Sequence, residues 1–76
     1  SYSGKKQKFS GTVKRVVKVN NSEVAFLMNG NENVFYASIK DYPRNMFIQS
    51  GDEISFTGYK DGNTVVVVKD ISNKSL

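Results

Sequence analysis

The feature that most constrains the fold of this chain is the regular alternation of short β-strand patterns with turn-forming residues. Five runs are rich in β-branched and aromatic residues, and no long segment has the periodicity of an amphipathic helix. These runs predict strands over residues 8–20, 23–28, 34–39, 53–59 and 64–71. Because a small sheet loses its exposed edges by closing on itself, the pattern predicts an all-β barrel.

The stretches between the runs predict how the strands connect. Residues 29–33, "NGNEN", carry the Asn-Gly signal of a hairpin, and residues 20–22 and 60–63 also predict tight turns. Residues 40–52 contain the only proline and predict a longer connection with one helical turn. A three-strand meander, a longer connection and a hairpin follow each other in the five-stranded Greek-key barrel called the OB-fold. An SH3-like or Sm-like barrel is the alternative.

These connections predict one domain with short extensions. The OB-fold domain is expected over residues 8–71, with a short helical turn or loop between strands 3 and 4. A basic lead-in is expected over residues 1–7 and a polar tail over residues 72–76. The aromatic residues assigned to the barrel core are Phe9, Phe35, Phe47 and Phe56, and the residues expected to plug the core from the connection are Met46, Phe47 and Ile48.

The first predicted strand is strongly cationic. Residues 1–20 hold six lysine or arginine residues and no acid, whereas residues 21–76 hold five cations and seven acids. Arg15 falls on the apolar face of this strand, and a bulge near Arg15 and Val16 is expected to turn it outward. A basic stripe of this kind indicates a polyanionic partner, or else a solubilising surface. The apolar face predicted for this strand comprises Phe9, Gly11, Val13, Val17 and Val19.

The composition narrows the chemistry that the chain can perform. It has no cysteine and no histidine, so a disulfide framework is impossible and the common zinc sites lack their usual ligands. Its acidic residues are scattered over turns and strand ends, so we expect no enzymatic activity and no cofactor. No apolar run approaches the roughly 20 residues that span a bilayer, so no membrane partner is expected. The lack of cysteine is compatible with a cytoplasmic location.

Four stretches resemble OB-fold proteins that bind single-stranded nucleic acid. "GTVKR" at 11–15 resembles the opening of cold-shock domains, "EVAFL" at 23–27 lies where their aromatic strand 2 motif lies, and "NVFYASI" at 33–39 resembles their strand 3 motif. "SGDEISFTG" at 50–58 resembles strand 4 of many OB-folds, including bacterial single-strand-binding proteins. Because Arg15 stands where cold-shock domains have an aromatic residue, we interpret the chain as an OB-fold with a reduced set of the same surface features. The resemblance implies binding of single-stranded DNA or RNA.

Such binding needs cations along the phosphates and exposed rings beneath the bases. Strand parity places Phe35 in the core and Tyr36 outside. For Phe26, parity with Val24 and Met28 favours the core, whereas the resemblance places the ring outside. The residues predicted to bind nucleic acid are Lys8, Lys14, Arg15, Lys18, Phe26, Tyr36, Tyr59 and Lys60.

The expected function is therefore binding of single-stranded nucleic acid with low sequence specificity. The chain is expected to act alone, as a homo-oligomer or as part of a longer parent chain. The alternative is a protein-interaction or structural OB module, in which the basic strand meets an acidic partner or an edge strand extends another sheet. Binding that weakens with salt separates the first function from the second.

Overall fold

The computed structural model of the chain describes residues 4–76, which form six strands and one 3₁₀ turn. The 3₁₀ turn, Pro43–Phe47, lies between the third and fourth strands. The predicted lead-in falls partly on residues 1–3, which lie outside the described residues. From Lys5 onward, the chain is already part of the first strand. The strands are β1 (Lys5–Asn20), β2 (Glu23–Met28), β3 (Val34–Ser38), β4 (Glu53–Asp61), β5 (Thr64–Val67) and β6 (Ser72–Asn73).

The strands form a closed barrel because β1 pairs with a strand at each of its ends. β1 is antiparallel to β2, β2 to β3, and β4 to both β5 and β1, whereas β3 and β5 are parallel. The circuit β1-β2-β3-β5-β4 therefore returns to β1. This confirms the prediction of an all-β, five-stranded barrel with a short helical turn between the third and fourth strands. The arrangement is consistent with an OB-like fold.

A bulge in β1 divides the strand between its two partners. Residues 5–12 pair with β4 and residues 13–20 pair with β2, and the register shifts between Val13 and Arg15. The extra residue reverses the alternation, so Arg15 faces outward, as predicted. The same reversal turns Val17 outward, where it is 52% exposed. The expected apolar face is therefore wrong beyond the bulge, where Val16 packs against the core instead.

Four phenylalanine rings form the centre of the barrel. Phe26 stacks on Phe35 with 5.2 Å between ring centroids, and Phe56 meets both rings edge to face. Phe9, which is partly buried, stacks on Phe56 at 5.5 Å. The core positions predicted for Phe9, Phe35 and Phe56 are confirmed.

The connection between β3 and β4 enters the core through fewer residues than predicted. Ile48 is buried, but Met46 and Phe47 are 55% and 59% exposed, so the expectation that they plug the core is wrong. The buried residue of the 3₁₀ turn is Asn45, whose Nδ2 donates to the carbonyl of Ser38 at 2.8 Å. Because consecutive residues of a 3₁₀ turn point in different directions, burying Asn45 leaves its two successors outside.

The residues predicted as a polar tail contribute to the sheet. β6 pairs with β4, with Ser72 opposite Ser55 and Asn73 opposite Ile54. The backbone N–H of Lys74 also donates to the carbonyl of Glu53 at 3.0 Å. Polar composition alone gave no sign of this pairing, because backbone groups make it.

Candidate functional site

A row of outward-facing side chains crosses all five barrel strands. Each member lies directly opposite the next one on the neighbouring strand, so all of them belong to the same outer surface. The row begins on the second half of β1 and ends on its first half. In order, this outer row consists of Val17, Ala25, Tyr36, Val66, Tyr59 and Lys6.

Two predicted aromatic residues lie close together in the outer row. Tyr36 on β3 and Tyr59 on β4 flank Val66 on β5, and all three side chains are half-buried. Since neighbouring strands are about 4.8 Å apart, the two tyrosines start roughly 10 Å from each other along the sheet. The strands of a barrel tilt relative to the barrel axis. The outer row is therefore oblique to this axis, and its members lie at different heights along the barrel.

Beside the first members of the outer row lies a shallow apolar depression of about 240 Å³. Arg15, Val17 and Leu27 contribute to its walls. Arg15 pairs with Leu27 across β1 and β2, so its charged side chain stands at an apolar surface. A guanidinium group in such a position can stack on a flat ring as well as attract a phosphate.

Phe26 does not belong to this surface, and its prediction as a stacking residue is wrong. The side chain is 1% exposed and lies between Val16 and Phe35 in the inward-facing register. Val24, Phe26 and Met28 occupy the inner face of β2, which leaves Ala25 and Leu27 on its outer face. The parity of β2 favoured this result from sequence alone.

Lys60 is held at one end of the barrel. Lys60 pairs with Val65, at an inward-facing position of β4. Its Nζ donates a hydrogen bond to Oδ1 of Asn33 at 2.7 Å. Asn33 is itself buried, at 7% exposure, so this bond satisfies a buried acceptor. The side chain predicted to bind nucleic acid thus has a structural partner within the barrel.

The remaining predicted lysines are spread along β1. Lys8 faces outward opposite Thr57, which lies two residues from Tyr59 on the outer face of β4. Lys14 lies at the bulge, next to the turn at Gly30, and Lys18 lies near the end of the strand. The structure therefore brings Lys8 and Arg15 to the outer row or its border, together with both tyrosines, but not Lys14, Lys18 and Lys60.

Sequence reasoning named Lys6 only as a cation of the lead-in, outside the strands, and missed Val66 as a member of the outer row. Lys6 precedes the predicted start of the first strand, and Val66 lies in a valine run that looked buried throughout. The spacing of two residues between Lys6 and Lys8 could have indicated that Lys6 belongs to the first strand and shares the face of Lys8. Nothing in the sequence states that β3 and β5 pair, which is what sets Val66 between the tyrosines.

No family model, curated protein or solved structure matches this chain in comparisons with known proteins. Within residues 4–76, no helix has the length and apolar character of a membrane span. In the same residues, no three acidic side chains lie close enough to share a metal ion.

Proposed function

We propose that this chain binds single-stranded DNA or RNA along the outer row, with low sequence specificity. The observation that carries the proposal is the placement of Tyr36 and Tyr59 on either side of Val66. Every base has an aromatic face, so stacking on such rings tolerates any sequence. Each stacked base contributes about 1–3 kcal/mol to binding.

The charges around the outer row support the same partner. Lys6 ends the row beside Tyr59, and Arg15 stands near its other end beside Val17. A strand that follows the row around the barrel, from one half of β1 to the other, meets Arg15 before the rings and Lys6 after them. Attraction between these cations and the phosphates supplies the part of the affinity that does not depend on sequence.

The experiment is fluorescence anisotropy with labelled oligo-dT and oligo-U at low salt, and with a duplex of equal length. Both single strands are expected to bind, and the duplex is expected to bind more weakly because its bases are already stacked. The logarithm of the affinity should fall with the logarithm of salt concentration, with a slope of about −0.7 for each phosphate neutralised. No binding at low salt, or equal affinity for the duplex, contradicts the proposal.

Replacement of the two ring residues tests the outer row directly. Tyr36→Ala and Tyr59→Ala are each expected to reduce the affinity for oligo-dT by roughly tenfold, the low end of the range for one lost stacking contact. Tyr42→Ala is the matched control, because Tyr42 is half-buried but lies in the β3–β4 connection, off the row. If all three variants bind alike, the rings of the outer row do not stack on bases.

A protein-interaction module is the second candidate function. The observation that favours it is the exposure of the adjacent residues Met46 and Phe47, both more than half exposed. Apolar side chains of this size on a small surface are common at protein interfaces. A chain that binds no oligonucleotide at low salt favours this second function.

A further inference from the structure

The surface next to the outer row contains a second depression, of about 410 Å³, between β1, β4 and the segment that follows β5. The depression forms where the segment between β5 and β6 separates from β4 and then pairs with it again. The N–H of Val68 still donates to the carbonyl of Thr57 at 3.1 Å, and pairing resumes only when Ser72 meets Ser55. Lys69 and Asp70 lie between these two points and border the opening.

We propose that this depression binds one phosphate group of the single-stranded nucleic acid, an inference that rests on the proposed function. The reason is the set of donors that surrounds it. Lys8 and Lys69 contribute ammonium groups, and three outward-facing residues contribute hydroxyl groups. Ammonium groups of lysine and hydroxyl groups of serine and threonine are among the donors that contact phosphate oxygens. The hydroxyl-bearing residues are Ser10, Ser55 and Thr57.

The hydroxyl groups are available for such contacts. Ser10 lies directly opposite Ser55, and Thr57 lies directly opposite Lys8, so the four side chains form a compact block on two strands. Among the described residues, no side-chain hydrogen bond engages these three hydroxyls. A hydroxyl without a protein partner bonds to water, which a phosphate oxygen can replace.

The acid at the border does not cancel the positive charge. Asp70 lies 3.8 Å from the guanidinium group of Arg44, and both side chains are at least half exposed. Such a pair is weak, but it offsets part of the negative charge of Asp70 from outside the depression. The lining of the depression therefore carries two positive groups, Lys8 and Lys69, and one negative group, Asp70.

The position of the depression fits a strand whose bases stack along the outer row. Thr57 and Tyr59 are two residues apart on the outer face of β4, which corresponds to roughly 7 Å. One nucleotide spans such a distance from its base to a neighbouring phosphate. The phosphates of the bound strand therefore lie on the side of Tyr59 that carries Thr57, over Lys8 and Lys69.

The test compares three charge-neutralising variants that change the net charge equally. Lys8→Gln and Lys69→Gln are each expected to reduce the magnitude of the salt slope for octameric oligo-dT, by at most about 0.7, because both lysines contact the same phosphate. Lys40→Gln is the control, because Lys40 is exposed in the β3–β4 connection and does not border the depression. Its slope is expected to equal that of the unmodified chain.

A neutral variant tests the hydroxyl contacts separately. Thr57→Val keeps the shape of the side chain and its preference for a strand, and it replaces the hydroxyl group with a methyl group. It is expected to reduce the affinity for oligo-dT and oligo-U alike by about tenfold to a hundredfold, the cost of one hydrogen bond to a charged group. Thermal unfolding of each variant checks that the barrel is intact.

The outcomes separate the two proposals. If the unmodified chain binds oligo-dT but Lys8→Gln and Lys69→Gln behave like Lys40→Gln, the phosphate site is wrong and the proposed function stands. An unchanged affinity of Thr57→Val contradicts the hydroxyl contacts in the same way. If the unmodified chain binds no single strand at low salt, the proposed function fails, and the phosphate site fails with it.

Discussion

At the scale of single residues, Asp52 shows how one buried carboxylate joins distant parts of the chain. It is 4% exposed, and its Oδ2 accepts hydrogen bonds from the N–H of Gln49 at 3.0 Å and from Nδ2 of Asn73 at 2.9 Å. Its carbonyl accepts a third bond, from the N–H of Val13 at 2.8 Å. The residue therefore connects the start of β4 to β1 and to β6.

Loss of the Asp52 carboxylate is expected to destabilise the barrel. Asp52→Ala leaves Nδ2 of Asn73 without its acceptor, and we expect the free energy of unfolding to fall by about 2 kcal/mol. Urea denaturation followed by circular dichroism measures this change. Asp41→Ala is the control, since Asp41 is exposed and its loss should change stability by less than about 0.5 kcal/mol. Equal unfolding midpoints for the two variants would show that the Asp52 bonds contribute nothing.

At the scale of elements, the bulge in β1 decides which side chains face outward. Without the register shift between Val13 and Arg15, Arg15 and Val17 would lie inside the barrel. Because of the register shift, Arg15 and Val17 face outward, and Val16 packs against the core in their place. The bulge therefore serves both the packing of the core and the composition of the outer surface.

A pair of matched substitutions tests the reversed alternation. Val16→Thr places a hydroxyl against the core and is expected to lower the free energy of unfolding by about 1 kcal/mol. Val17→Thr places it on a side chain that is 52% exposed, and a change below about 0.5 kcal/mol is expected. Chemical denaturation of both variants gives the comparison. A larger loss for Val17→Thr would mean that the alternation continues unbroken from Phe9.

The sequence predicted the elements better than the contacts between them. Strand patterns and turn residues are local signals, so the barrel and its turns followed from them. The pairing of β3 with β5 joins segments that are far apart in sequence, and no local pattern reports it. Likewise Lys60 reads as a surface cation, because its bond to Asn33 depends on how the barrel closes. The pairing of β3 with β5 sets Val66 beside Tyr36, so this neighbour in the outer row was not predictable.

At the scale of the whole molecule, the cations are concentrated at the start of the chain. The net charge of the protein is +4, yet residues 1–20 alone carry six cations and no acid. β1 winds past both β4 and β2, so these cations are distributed along the barrel rather than gathered at one end. Binding to a polyanion should then depend on where a charge lies, not only on the total.

Two substitutions with the same change in net charge test this dependence on position. Arg15→Gln removes a cation beside the outer row, and we expect several-fold weaker binding of oligo-dT. Lys60→Gln removes the cation that bonds to Asn33, and we expect less than a twofold change in affinity but a loss of about 1 kcal/mol in unfolding free energy. Anisotropy titrations and denaturation curves give the two quantities. Equal losses of affinity would indicate attraction to the net charge alone.

The pairing of β1 with β4 also governs the order in which the barrel can assemble. Because β1 precedes β4 in the chain, residues 5–12 find their partner only after β4 has been synthesised. The hairpin of β2 and β3 can form early, whereas closure waits for nearly the entire chain and for contacts of long sequence separation. Folding in milliseconds to seconds is the usual consequence of such a topology, and until closure the phenylalanine centre stays accessible to chaperones and to other nascent chains.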